Sequence, residues 1–205
     1  MGVRKIAQVA WGGLAVRSPV HILAEIRRNV DRLMQQTGRR HYLIAELDLN
    51  DPRYINPAGE SGYGLDAQWT DEFHHALRVT AGEERNGYYA DFEGILHLGK
   101  AYRDAYVYDG QFSPHRKKIF GMPADHHPGK QFVVFSQNHD QVGNRMLGER
   151  TSMLTSREMQ KLLAGAVLCS PYLPMLFMGE EWSETSPFLY FVDHSDPDLK
   201  EAVRK

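Results

Sequence analysis

The nine residues Gln137-Asn138-His139-Asp140-Gln141-Val142-Gly143-Asn144-Arg145 gather amides, an imidazole, a carboxylate and a guanidinium into one turn. They follow the apolar run Phe132-Val133-Val134-Phe135, which reads as a buried strand. An apolar strand with a densely polar C-terminal tip is how parallel α/β sheets build sites. A polar turn with a capping Asp is the competing reading. So many hydrogen-bonding groups at one turn favour a ligand instead. Two further strand ends are acidic. His41-Tyr42-Leu43-Ile44-Ala45 runs into Glu46, Asp48 and Asp51, and Pro174-Met175-Leu176-Phe177-Met178 runs into Gly179-Glu180-Glu181-Trp182. Carboxylates with the aromatics Tyr63, Trp69, Phe112 and Trp182 suit a sugar. Charged and amide groups satisfy hydroxyls, rings cover C–H faces, and a carboxyl of raised pKa can protonate a glycosidic oxygen. A metal is the rival chemistry, with His74-His75, His126-His127 and His139 as donors. Adjacent histidines on one element point apart, and no ligand spacing with a carboxylate emerges, so neither metal nor cofactor is expected.

These groups need elements to hold them. Ser18-Pro19 offers a cap and a first-turn proline for a helix carrying Ile22, Leu23, Ile26, Val30 and Leu33, ended by Gly38. Gln68-Trp69 ends a second strand, and a helix is expected from Asp71 through Phe73, Ala76 and Leu77 to Gly82. Residues 83–130 show no sustained period and read as a long functional loop, with Asn86-Gly87 a turn signal. In that loop Tyr88-Tyr89 reads as core packing. Thr155 and Glu158 have capping-box spacing before the helix that carries Leu162, Leu163, Ala166, Val167 and Leu168, which Ser170-Pro171 closes. Helices alternating with short apolar strands predict an α/β fold with parallel pairing by right-handed crossovers. In a barrel the ends at Glu46, Asp140 and Glu180-Glu181 would converge on one face.

Composition narrows the partners. The 205 residues suffice for one domain, and a net charge of −2 gives no field for nucleic acid or an anionic membrane. Arg27-Arg28 and Arg39-Arg40 read as solvated helix positions. The single cysteine, Cys169, excludes an intramolecular disulfide and reads as a buried, inert thiol in a reducing, cytoplasmic setting. No apolar stretch is long enough to span a bilayer, and Met1 to Gly13 lack a convincing cleavable signal.

Four segments in order carry a family resemblance: Ile44-Ala45-Glu46-Leu47-Asp48-Leu49-Asn50-Asp51-Pro52-Arg53, the run Tyr63 to His75, the string Gln137 to Arg145, and Leu176-Phe177-Met178-Gly179-Glu180-Glu181. Together they resemble malto-oligosyltrehalose trehalohydrolase, a branch of the α-amylase superfamily of retaining glycoside hydrolases. Asn-His-Asp marks the superfamily, and its extension through Arg145 with the Trp69–His75 run points to the branch. The resemblance implies a (β/α)8 TIM barrel that hydrolyses the α-1,4 bond beside a terminal trehalose. It implies Glu46 as general acid/base and Asp140 as the carboxylate that grips sugar hydroxyls and stabilises the transition state. It further implies substrate contacts from Asn138, His139, Gln141, Arg145, Trp69, Asp71 and His74, and a cleft-lining role for Tyr108 to Arg116.

One departure stands out. The family's nucleophile lies in an Arg-x-Asp-x-x-His pattern before the first helix, where this chain reads Ala7-Gln8-Val9-Ala10-Trp11-Gly12. Counting back from Ser18 puts Val9 in the nucleophile's place, Ala7 in the arginine's and Gly12 in the histidine's. No Asp or Glu precedes Glu25. The expectation is therefore a partial barrel, roughly the last four to five β/α units over residues 18–205, behind an atypical segment 1–17. A truncation, a frameshift or a partial gene model would each leave such a sequence. Such a chain is expected to be inactive alone, and its open barrel edge to invite aggregation or another chain. The alternative function is a non-catalytic α-glucan-binding or assembly protein, with an unrelated sugar hydrolase or metal enzyme behind it.

Overall fold

The computed structural model describes the backbone of Lys5–Ala10 and residues 20–82, 84–190 and 192–204. In chain order the elements are β1 (Lys5–Ala10), α1 (Ile22–Thr37), β2 (His41–Glu46), β3 (Ala67–Trp69), α2 (Asp71–Thr80), α3 (Ile95–Asp104), β4 (Gln111–Ser113) and β5 (Lys118–Phe120). There follow β6 (Phe132–Val134), α4 (His139–Gly143), α5 (Thr151–Leu154), α6 (Arg157–Leu168), β7 (Leu173–Pro174) and α7 (Pro197–Arg204).

The alternation of β2 sets the layers. Leu43 and Ala45 are buried on the face covered by α1, in a cluster with Leu23, Leu47, Tyr54 and Leu65. Ile44 and Glu46 therefore take the other face. There Ile44 packs against Ala67, Trp69, Val133 and Phe135, with Met175 beside them. The five-stranded sheet has the order β1-β2-β3-β6-β7, and each neighbouring pair is parallel. Strand β1 pairs with β2 residue for residue, from Lys5 opposite His41 to Ala10 opposite Glu46. Strands β4 and β5 form a separate antiparallel hairpin. The parallel order with intervening helices is that of part of a (β/α)8 barrel, as expected.

The chain divides into two compact units, one comprising Met1–Ser136 with Lys161–Met175 and the other Gln137–Gln160 with Leu176–Lys205. The sheet belongs to the first. Its most buried helix is α2, in which residues 72 to 79 are all buried. Phe73, with no exposed surface, sits 5.1 Å from the Tyr102 ring and 6.2 Å from Tyr172. A side chain buried so completely contributes about 1.5–3 kcal/mol.

Several expectations need correction. Helix α1 is capped by His21, whose Nδ1 accepts from Leu23 N–H at 3.3 Å, while Ser18 and Pro19 lie outside the described residues. Gly38 ends it as expected, in the left-handed region at φ 65° with its N–H on Met34 O. Arg27 is buried rather than solvated, because Asp66 (2.8 Å) and Asp31 (2.6 Å) neutralise it. The supposed long loop holds a helix, α3, and the β4–β5 hairpin. Tyr88 is exposed, whereas Tyr89 is buried. Helix α6 is capped by Ser156, whose hydroxyl accepts from Met159 N–H at 3.2 Å, and Thr155 instead donates to Thr151 O at 3.0 Å. Strand pairing at β7 stops at Pro174, with one further bond from Met175 N–H to Val134 O. Cys169 is exposed, not buried.

Candidate functional site

Glu46 ends β2 on the face that carries Trp69. It is half-buried, at the tip of a strand whose neighbour β1 offers Ala10 opposite it and Val9 opposite Ala45. Gly12, counted to the histidine's place, lies outside the described residues. Two positions after Glu46, Asp48 accepts from the Arg116 guanidinium at 2.7 Å, and that guanidinium lies 3.9 Å over the Phe120 ring. The β4–β5 hairpin is thereby tied to the loop that follows Glu46.

A second tie runs through a residue the sequence reading missed. Glu72, buried at 3% exposure, accepts the backbone N–H groups of Val107 at 2.7 Å and Tyr108 at 2.8 Å. Burial pushes its carboxyl up to about 7, against those hydrogen bonds, which favour the charged form. Asn50 adds a bond to Tyr108 O at 2.8 Å and accepts Met122 N–H at 3.0 Å. Gly121 must be glycine here: at φ 78° a Cβ would stand 1.9 Å from Tyr108 O. Asp91 completes the anchoring, taking His115 N–H at 2.8 Å and the Ser113 hydroxyl. An acidic pair opening a helix, Asp71-Glu72, signals only a dipole partner, so nothing in the sequence marks Glu72 as the clamp.

Among the expected substrate contacts on this unit, Asp71 opens α2 and is half-buried. Trp69 is 8% exposed, with its ring edge-on to Phe135 at 5.4 Å. His74 has no atom to offer a sugar. It is 1% exposed, its Nδ1 lies 2.6 Å from Ser136 O and its Nε2 2.8 Å from Tyr89 OH. A carbonyl only accepts, so Nδ1 carries the proton and Nε2 accepts from Tyr89. Burial holds this imidazole neutral, with its pKa near 3.

The string Gln137 to Arg145 divides sharply between structure and chemistry. Gln137 is buried and accepts Thr151 N–H at 3.0 Å. Asn138 caps α4: its Oδ1 accepts Asp140 N–H at 2.8 Å and Gln141 N–H at 3.3 Å, while Gln141 Oε1 accepts Asn138 N–H at 2.9 Å. That reciprocal pair is a capping box, which engages the amide oxygens of Asn138 and Gln141 in starting the helix. Gly143 lets the Tyr190 ring approach, since a Cβ would lie 2.5 Å from it. Arg145 faces Glu149 at 3.5 Å. His139 and Asp140 remain, 34% and 52% exposed, with Nε2 3.5 Å from Oδ1. Tyr190 OH donates to Asp140 Oδ1 at 2.9 Å, and among the described residues no hydrogen bond is made to Oδ2. Glu180, the other acidic tip, has a carboxylate oxygen on Phe177 N–H at 2.9 Å and so closes a turn.

Comparison with known proteins follows this geometry. No protein-family model matches the chain. A 1.4 Å crystal structure of a Salmonella typhimurium protein provisionally described as an α-amylase superposes with a TM-score of 0.81 at 38% identity, over 92% of this chain and 32% of that one. The fold is thus that of a segment of an α-amylase-type barrel. Within that class the chain is related to malto-oligosyltrehalose trehalohydrolases. It is 47% identical to the Saccharolobus solfataricus protein of that name over 188 residues, and 43% identical to the Arthrobacter ramosus one over 187. It spans about a third (32%) of the length of each of these relatives. Among the described residues no helix is long and apolar enough to cross a membrane.

Proposed function

We propose that this chain carries part of a retaining α-glycosidase of trehalohydrolase type, acting on the α-1,4 bond beside the terminal trehalose of malto-oligosyltrehalose. Glu46 is the general acid/base, Asp140 the carboxylate that grips sugar hydroxyls, and His139 its neighbour on the same ligand. Trp69 and Asp71 contribute to the acceptor side. Asn138, Gln141, His74 and Arg145 act by holding backbone or partner groups.

The observation that carries this reading is the pairing of β1 with β2. Glu46 ends one strand, while the adjacent strand has Ala10 opposite it and Val9 one residue before. A retaining mechanism needs a second carboxylate about 5 Å from the first. With no Asp or Glu before Glu25, that strand has none to give. In this reading the chain alone binds α-glucan without cleaving it, because β1 carries no carboxylate to attack from the nucleophile's place. Strands β1 and β7 end the sheet, and a second chain covering them is part of the same proposal. Incubation of the purified chain with malto-oligosyltrehalose tests the catalytic half, with no trehalose expected. Isothermal titration with maltotriose tests the binding half, and absence of heat would remove it.

A further inference from the structure

One exposed indole, counted in the sequence among rings that suit a sugar, has been given no position or role in the structure so far. Trp182 ends the short 3-10 turn Glu180–Trp182 and is 67% exposed, high for so large an apolar ring. It is also held in place. Its Nε1–H donates to Glu184 Oε2 at 3.2 Å. The other oxygen of Glu184 accepts Thr185 N–H at 2.9 Å and Ser186 N–H at 2.7 Å. These donors, Ser186 first, keep the carboxylate ionised.

The loop beneath is pinned from the same unit. Arg150, buried, donates to Ser186 O and to Met178 O, each at 2.7 Å, and its guanidinium lies 5.1 Å over the Phe177 ring. The Ser152 hydroxyl donates to Glu184 O, and Ser183 bonds Gln160. No ring among the described residues stacks on Trp182. A fixed indole whose one donor is already engaged can offer a ligand only its π-face. Glu181 and Thr185 beside it are exposed and polar.

We propose that Trp182 is a stacking platform for the apolar C–H face of a glucose ring in an α-glucan chain. The indole covers the ring, the acidic and hydroxyl rim meets its hydroxyls, and Glu184 fixes the angle beforehand, which lowers the ordering cost of binding. This rests on the α-glucan reading above, and the test separates the two.

The test titrates maltoheptaose into the full chain by calorimetry, and maps N-bromosuccinimide oxidation of Trp182 by mass spectrometry with and without the sugar. The expected result is protection of Trp182, together with affinity about tenfold weaker in Trp182→Ala. Trp182→Phe retains a face and falls less. Glu184→Ala leaves the indole but frees it, and weakens binding a few-fold. The Trp182 side chain is exposed, so both Trp182 variants should melt with the wild type. Binding that is unchanged in Trp182→Ala, or sugar that leaves Trp182 unprotected, overturns the platform and leaves the α-glucan reading standing. No heat with the wild type overturns both.

Discussion

In α2 the polar side chains Glu72, His74 and Arg78 are buried and engaged, whereas at the start of α4 His139 and Asp140 stay 34% and 52% exposed. Both segments bring acids and histidines close together in the sequence. Buried polar groups survive only if every hydrogen-bonding atom finds a partner, and once partnered they hold backbone in place. Glu72 and His74 of α2 do this, fixing Val107, Tyr108, Ser136 and Tyr89. Asp140 has one oxygen on Tyr190 and near His139 Nε2, and about half of its side chain is exposed. Residue type is a poor guide to role here; exposure and unspent valence decide it.

The contrast is broken most strongly within α2. Phe73→Ala should cost about 3–5 kcal/mol by cavity formation, read as a shifted urea midpoint at constant slope. Next comes Glu72→Ala, which orphans two backbone N–H groups and should cost about 2–3 kcal/mol. Glu72→Gln keeps an oxygen acceptor and sharpens the comparison through pH. The folded carboxyl keeps its proton to about 7 while the unfolded one releases it near 4.5. Between those values the folded state holds more protons, so wild-type stability falls as pH rises. Glu72→Gln should therefore gain on wild type as pH is raised across that window and hold its gain above it. Melting curves from pH 4 to 8 check this.

His74 and His75 pull the other way. Their folded pKa values lie below the usual 6.5, so stability is lost as pH falls through that value. Removing the opposing Glu72 contribution should steepen this acid loss in the same melts.

Around α4 the effects are smaller. Asn138→Ala removes the cap and should cost about 1 kcal/mol in a urea titration. Asp140→Asn should leave stability within about 0.5 kcal/mol, since the group is exposed, but weaken maltotriose binding. A large stability loss at Asp140 would put it in the same category as α2.

Strands β2 and β6 were legible because they are short apolar runs, and Glu46 was legible because it ends one of them, whereas β1 lies in the segment read as atypical. Helix α3 was not, since Gly99 and His97 interrupt its apolar spacing. The cap of α6 slipped by one residue, because Thr155 and Ser156 both carry a hydroxyl and only geometry chooses between them. The density of polar groups at Gln137–Arg145 had two causes that sequence alone cannot separate. Gln137, Asn138 and Gln141 fasten backbone, whereas the side chains of His139 and Asp140 stay 34% and 52% exposed. The ties from Glu72 to Val107 and from Asp48 to Arg116 join residues 35 and 68 positions apart, beyond any local pattern.

On β1, the strand beside Glu46, no Asp or Glu stands to act as nucleophile. Trehalose release from malto-oligosyltrehalose by the purified chain measures this directly. The proposed function predicts none above a no-protein blank, for wild type and Glu46→Gln alike. Release that Glu46→Gln abolishes would contradict the account, because it would require a nucleophile that β1 does not carry.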